Sequence, residues 1–290
     1  MKRRTFLKAI PFASGIPLMI SSFNKDNFFY MGEDEIICVK KFELADSQNM
    51  YVKTLQECVA EIGKSFIGTV YEANTLEQPG DEHLVINLHS LDCVTFCENS
   101  LALARCIKMN KMTFQAFKGE LQLIRYRGGI IDGYPSRLHY FSDFIFDNGK
   151  KKILTDITQS IGGVPFEKKV NFMSTHSNEY PKLKEQPAFI EIIKKQEEAI
   201  NSRRLYHIPK NDIGKSDSGI LDGDILAITT SIEGMDVSHT GMALWKERKL
   251  HFLHAPNVGY KVQVTPNPLS DYLAEHSKQL GILVARPVEP

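Results

Sequence analysis

The stretch Leu91-Asp92-Cys93-Val94-Thr95-Phe96-Cys97-Glu98-Asn99 places a cysteine at the start of an amphipathic helix. From Cys93 onward, apolar side chains recur at Phe96, Cys97, Leu101, Ala104 and Ile107, a spacing of three and four that marks one buried helical face. Ser90 or Asp92 can cap its start. A thiol in the first turn stands at the positive end of the helix dipole, beside backbone N–H groups that lack intrahelical partners. Both are expected to lower its pKa below the free value of about 8.5, and the same N–H groups could hold an oxyanion. Cysteine is also among the most buried residue types, so a helical Cys taken singly reads as core. What distinguishes Cys93 lies far downstream.

Two runs there alternate like strands: Val237-Ser238-His239-Thr240-Gly241-Met242-Ala243-Leu244-Trp245 and Leu250-His251-Phe252-Leu253-His254-Ala255. Lys246-Glu247-Arg248-Lys249 between them is short and polar enough for a hairpin loop. With a two-residue loop at Lys246 and Glu247, His239 and His254 face each other directly. With a four-residue loop over 246–249 they become diagonal neighbours on one face of the sheet. His251 has the opposite parity and points away, as an ordinary surface or core histidine. Gly241 leaves room on the histidine face for another backbone or a substrate. A cysteine at a helix start with two histidines on one strand face is what a thiol hydrolase needs. His239 would take the thiol proton and return it to the leaving amine, and His254 would fix the tautomer and orientation of His239.

Asp92-Cys93, Asp222-Gly223-Asp224-Ile225-Leu226, Ser238-His239-Thr240-Gly241 and Leu253-His254-Ala255 together resemble the motifs of the NlpC-type, papain-like cell-wall hydrolases. More narrowly, Asn87-Leu88-His89-Ser90-Leu91-Asp92-Cys93-Val94-Thr95-Phe96 and Arg137-Leu138-His139-Tyr140-Phe141-Ser142-Asp143 resemble a branch first described as a domain of unknown function. That branch is similar to N-acetylmuramoyl-L-alanine amidases. The resemblance runs from about Asp46 to the C-terminus. It implies an α+β, papain-like fold in which N-terminal helices, including the cysteine helix, pack on a C-terminal antiparallel sheet. It implies an exported cysteine amidase cutting the amide between N-acetylmuramic acid and L-alanine in peptidoglycan fragments, anhydro-muropeptides among them. Cys93, His239 and His254 would form the triad, and Arg137, His139 and Tyr140 would contact the substrate. The alternatives are a stem-peptide endopeptidase of the same fold, a catalytically silent muropeptide-binding protein and a lipid acyltransferase.

Composition agrees with an enzyme of this kind. The chain has 290 residues, 42% hydrophobic and 24% charged, enough for a good core. Its 35 basic and 35 acidic residues cancel, which leaves no footprint of nucleic-acid binding. The N-terminus is basic at Lys2-Arg3-Arg4 and mostly apolar over residues 6–20, as in a secretory signal, and residues 3–8 also resemble a twin-arginine signal. Pro11, Gly15 and Pro17 make it a poor membrane span, so export without stable membrane insertion is expected. The domains are read as a signal at about 1–22, an extension at 23–45 and one papain-like amidase domain at 46–290, located in the periplasm or cell envelope. The cysteines at 38, 58, 93, 97 and 106 are odd in number, so at least one stays outside any intramolecular pairing, and Cys93 is the expected free thiol. Cys93, His239 and His254 could in principle ligate zinc, but no further ligand or spaced motif accompanies them, so neither metal nor cofactor is expected.

Periodicity predicts helices over 47–66 (burying Val52, Leu55, Val59, Ile62 and Phe66), 114–126 after a Thr113 cap, 189–202 after Pro187, and 269–276. Residues 83–88 read as extended. Strands are expected at 224–229, 237–245, 250–255, 261–265 and 282–286. Residues 127–136 are loop-like and 212–219 form a polar loop. By the residues alone, the Arg137 block could bind a carboxylate, stack on a sugar and donate hydrogen bonds, and it is at least as readable as structural, with Tyr140 and Phe141 in the core, Arg137 paired to Asp143 and the glycines only making turns.

Overall fold

The described residues, 31–216 and 219–290 of a computed structural model, begin with helices α1 (Glu33–Ser47) and α2 (Leu55–Ser65) and short strands β1 (Val70–Tyr71) and β2 (Ser90–Leu91). The cysteine helix α3 (Cys93–Lys108) follows, then α4 (Phe114–Arg125), α5 (Phe141–Lys150), β3 (Leu154–Asp156), β4 (Val164–Pro165), α6 (Phe172–Thr175), α7 (Pro181–Glu185) and α8 (Ala188–Asn201). The last third holds β5 (Tyr206–Pro209), α9 (Ile213–Ser216), β6 (Ile225–Thr230), β7 (Val237–Lys246), β8 (Lys249–His254), β9 (Gln263–Val264), α10 (Leu269–Ala274) and β10 (Gln279–Pro287). The main sheet runs β4-β5-β10-β6-β7-β8-β9, antiparallel throughout, with β3 also on β10. This is the expected α+β arrangement. The expected signal at 1–22 lies outside the described residues.

Local chemistry fixes the helix starts. Asp92, rather than Ser90, caps α3: its carboxylate accepts the Thr95 N–H at 2.7 Å while its own N–H donates to Thr95 Oγ1 at 2.9 Å. Thr54 and Glu57 form the equivalent box at α2. The helix expected over 47–66 therefore begins at Leu55. Before it, Asn49 takes a left-handed conformation (φ 51°) and Val52, expected in the core, is exposed. Residues 83–88 form no strand. The expected extension at 23–45 is helical where it is described: α1 crosses the 45/46 boundary and buries Cys38, Phe42 and Ala45 in the main core.

The sheet has two packed faces. On one, Ile225, Ala227, Met242, Leu253 and Leu283 meet Phe96 and Cys97 of α3 and Val59 and Ile62 of α2. On the other, Leu226, Ile228, Ala243, Phe252, Ile282 and Val284 meet Leu269 and Leu273 of α10. Gly223 admits α2 against the entry to β6, because a Cβ there would stand 2.0 Å from the Gln56 carbonyl oxygen and φ is +82°. Beside it the fully buried Asp224 accepts both Arg286 Nε at 2.9 Å and Nη2 at 2.7 Å.

Under the cysteine helix, Arg125 Nε donates to Glu98 Oε2 at 2.8 Å, and both side chains are almost wholly excluded from solvent. Burial raises the Glu98 pKa despite Arg125. Arg125→Met leaves that carboxylate uncompensated and is expected to cost about 3–5 kcal/mol, whereas Arg125→Met with Glu98→Leu recovers much of the loss. Urea unfolding of the three proteins checks this.

Candidate active site

Cys93 opens α3, half-buried, and lines two cavities of about 170 and 530 Å³ together with Ser238 and His239. The first turn of α3 is held against β7 by Thr240, whose hydroxyl donates to the Cys93 carbonyl oxygen at 2.8 Å. His239 Nε2 lies 2.7 Å from His254 Nδ1. The three expected triad residues are thus gathered at the first residues of β7, with His254 at the end of β8.

The hairpin that aligns the histidines turns on two residues, Glu247 and Arg248, both left-handed (φ 50° and 61°), as in a type I′ turn. Lys246 pairs with Lys249 and Gly241 with His254, so His239 and His254 are diagonal neighbours, the second of the two expected registers. The space above Gly241 is filled by Phe252, whose ring carbons would lie 2.7–2.8 Å from a Cβ there. His251 is buried and its Nδ1 is 2.9 Å from the Thr265 carbonyl oxygen, away from the site.

The electrostatics differ from those a helix start suggests. Burial, then the neighbouring Asp92 carboxylate, pushes the Cys93 thiol up to about 12, although hydrogen bonding from Thr240 opposes the rise. Burial, aided by His276, lowers His239 to about 4, and burial with His239 and His276 nearby carries His254 well below the usual histidine range. Thiol and imidazole are both uncharged near neutrality. The other four cysteines are buried and unpaired, as Cys93 is unpaired, and Cys97 carries a thiol pushed upward chiefly by burial.

The Arg137 block divides. His139 and Tyr140 line the smaller cavity with Cys93. Tyr140 is anchored by its hydroxyl, which donates to Glu197 at 2.7 Å and accepts the Met173 N–H at 2.8 Å. Arg137 is not brought to either cavity: it is buried, bonded to Glu77 at 2.6 Å and the Leu76 carbonyl at 2.9 Å. Asp143, the partner considered for it, is taken by Arg127 at 2.6 Å and Arg203 at 2.7 Å. Asp236 was missed by the sequence reading. It lines the same cavity, accepts the Ser142 N–H at 2.8 Å at the start of α5 and the Val237 N–H at 2.8 Å, and has its pKa raised by burial. An acidic residue just before a hydrophobic strand was the available signal. On the larger cavity, Tyr272 and His276 of the α10 region face His254, with the Tyr272 and His254 rings 5.5 Å apart. The spacing of α10 gave no hint of that.

Residues 61–282 match the family model described as AmiA-like, N-acetylmuramoyl-L-alanine amidase-like. The chain belongs to this family. Among solved structures it resembles a protein described as an N-acetylmuramoyl-L-alanine amidase from Bacteroides uniformis, at 36% identity and TM-score 0.78 over 81% of this chain and 99% of that one. It also resembles a putative xylanase from Bacteroides fragilis, at 38% identity and TM-score 0.75 over 78% and 99% of the two chains. A Legionella pneumophila protein, 21% identical with TM-score 0.64 over 88% and 95%, shares the fold. A comparison with curated proteins finds no match. Family membership supports a peptidoglycan amidase-like role for this chain.

The lowered histidines set an acid limit on stability. The unfolded chain takes up protons near pH 6.5, but folded His239 does so only near pH 4 and His254 also well below 6.5. Stability is full above 6.5 and falls as pH drops through the window between, because the unfolded state binds more protons there. Urea midpoints should be lower at pH 5 than at pH 7, and His254→Gln should flatten that slope.

Proposed function

We propose that this AmiA-like protein is an exported cysteine amidase of the NlpC-type, papain-like kind, hydrolysing the N-acetylmuramoyl-L-alanine amide of peptidoglycan fragments, anhydro-muropeptides among them. The observation that supports it most is the 2.7 Å contact between His239 Nε2 and His254 Nδ1, which line the larger cavity together with a cysteine that opens a helix.

That contact supports the following roles for the ring nitrogens. With Nε2 of His239 engaged, Nδ1 is left to receive the thiol proton, and His254 Nδ1 accepts from the imidazolium that forms. Because thiol and imidazole both rest uncharged, the proton moves as sulfur attacks the amide carbonyl. The carbon–sulfur bond forms, the carbonyl electron pair becomes an oxyanion, and His239 returns the proton to the departing alanine nitrogen as the carbon–nitrogen bond breaks. Water, deprotonated by His239, then releases the muramoyl carboxylate and restores the thiol. The Cys93 and Val94 N–H groups, at the first positions of α3 and outside its intrahelical ladder, are suited to receive the oxyanion.

Cys93→Ala should abolish release of an L-alanine-terminated peptide from a disaccharide-peptide, followed by mass spectrometry, with the fold retained. His239→Ala should lower kcat about 100-fold or more, and His254→Asn or His254→Gln should retain a part of the activity. Efficient cleavage of the same peptide without its sugar would establish an endopeptidase instead. The lowered His239 predicts that kcat/KM holds as pH falls past 6 and declines only on approach to about 4.

Export rests on Lys2-Arg3-Arg4 with the apolar run behind it and on the cell-wall family. Fractionation of the source cells with N-terminal sequencing should find an extracytoplasmic chain starting beyond about residue 20. A cytoplasmic chain beginning at Met1 would contradict it.

A further inference from the structure

The smaller cavity holds a polar atom for which the proposed chemistry has no use. His139 Nε2 lies 2.9 Å from the Tyr134 carbonyl oxygen. A carbonyl only accepts, so Nε2 carries a proton. The ring is further fixed by the Tyr134 ring, 4.4 Å away between centroids. Nδ1 has no hydrogen-bond partner among the described residues, and His139 lines the cavity with Cys93 and His239.

Whether Nδ1 is protonated decides what it can bind. Burial and then the Arg137 guanidinium, with Arg127 adding, drive the His139 pKa down to about 3. Asp236, the one carboxylate lining the cavity among the described residues, is already bonded through one oxygen to the Ser142 N–H and through the other to the Val237 N–H. Arg137 is itself fixed by Glu77, with Glu82 at 3.7 Å. Nδ1 is therefore a bare acceptor, ready for an N–H or O–H and repelled by a carboxylate. Around it the cavity, about 170 Å³, is largely apolar, walled by Leu138, Phe172, Met173 and Met235.

Resting on the amidase reading, we propose that this cavity takes an acetamido-type group, its N–H donating to His139 Nδ1 and its methyl lying against Phe172 and Met173. Burial keeps the imidazole neutral, and Arg137 is a positioning residue that reinforces it through its charge. Two parts of a muramoyl peptide have this chemistry: the 2-acetamido group of the sugar, and the alanine methyl with the amide N–H that follows it.

The state of the ring is read without substrate. Nitrogen-15 NMR should show His139 protonated at Nε2 and not titrating between pH 5 and 8, and Arg137→Met should bring its titration up toward the ordinary range. Protonation at Nδ1 instead would overturn the inference. The partner is read by calorimetry on Cys93→Ala with N-acetylmuramoyl-L-alanyl-D-isoglutamine and two ester analogues. One carries a 2-O-acetyl group in place of the acetamido, the other an ester after alanine. One analogue should bind up to about tenfold more weakly than the parent, and that difference should vanish in Cys93→Ala/His139→Leu. The analogue that couples identifies the source. Full-sized losses for both analogues in the His139→Leu background would refute the contact. If the parent ligand fails to bind while the NMR behaves as expected, the amidase reading fails and takes the inference with it.

Discussion

The site depends on one hydrogen bond, from the Thr240 hydroxyl to the carbonyl oxygen of Cys93. It fastens the first turn of a helix to the strand that carries the histidine. Successive residues of a strand face opposite sides, so Thr240 meets α3 while its neighbour His239 lies on the α10 side, paired in register with Ile228. The ladder shifts between Ile228 and Thr229, which distorts β7 at its start, beside the cavities that Cys93 and His239 line. A thiol from one layer and an imidazole from the other can share a cavity at such a point. Cys97 also leans on Thr240, with Sγ 3.7 Å from Oγ1.

Burial outweighs the helix dipole here. The dipole at a helix end contributes about 0.3–1 kcal/mol at surface exposure, less than one pKa unit. Desolvation, with Asp92 adding to it, takes the thiol the other way, to about 12. The carboxylate that caps α3 therefore starts the helix and also opposes ionisation of its first residue. On the proposed chemistry, a neutral thiol beside a neutral imidazole would transfer its proton only as a carbonyl is attacked. A preformed ion pair would have to be desolvated in the same enclosed space.

Beside the smaller cavity, buried polar groups are tied to partners: Tyr140 with Glu197 and Asp236 with the start of α5 on its lining, and Arg137 with Glu77 outside it. Leaving any of them unpaired would cost the desolvation of that group, so each fixes the position of a cavity residue. Arg137 shows how a side chain outside the cavity can still act on it, through the charge it places beside His139.

By itself the sequence determined the elements with strong local signals. The three-and-four spacing after Cys93, the Thr113 cap and the alternation over 237–245 and 250–255 each match an element of the structure, because period and capping are set within a few residues. The same parity argument placed His239 and His254 on one face. The motifs Asp92-Cys93 and Ser238-His239-Thr240-Gly241 pointed to the family. What only the tertiary structure decided is what depends on distant neighbours. The sequence gives no reason for Arg137 to turn toward Glu77 and Glu82 and not into the cavity, since those partners lie 55–60 positions away. The hairpin register hung on left-handed Glu247 and Arg248, residues that do not advertise that conformation. α1 was invisible because its face is settled by the core it meets and not by periodicity. The thiol's protonation followed burial, which no local pattern contains.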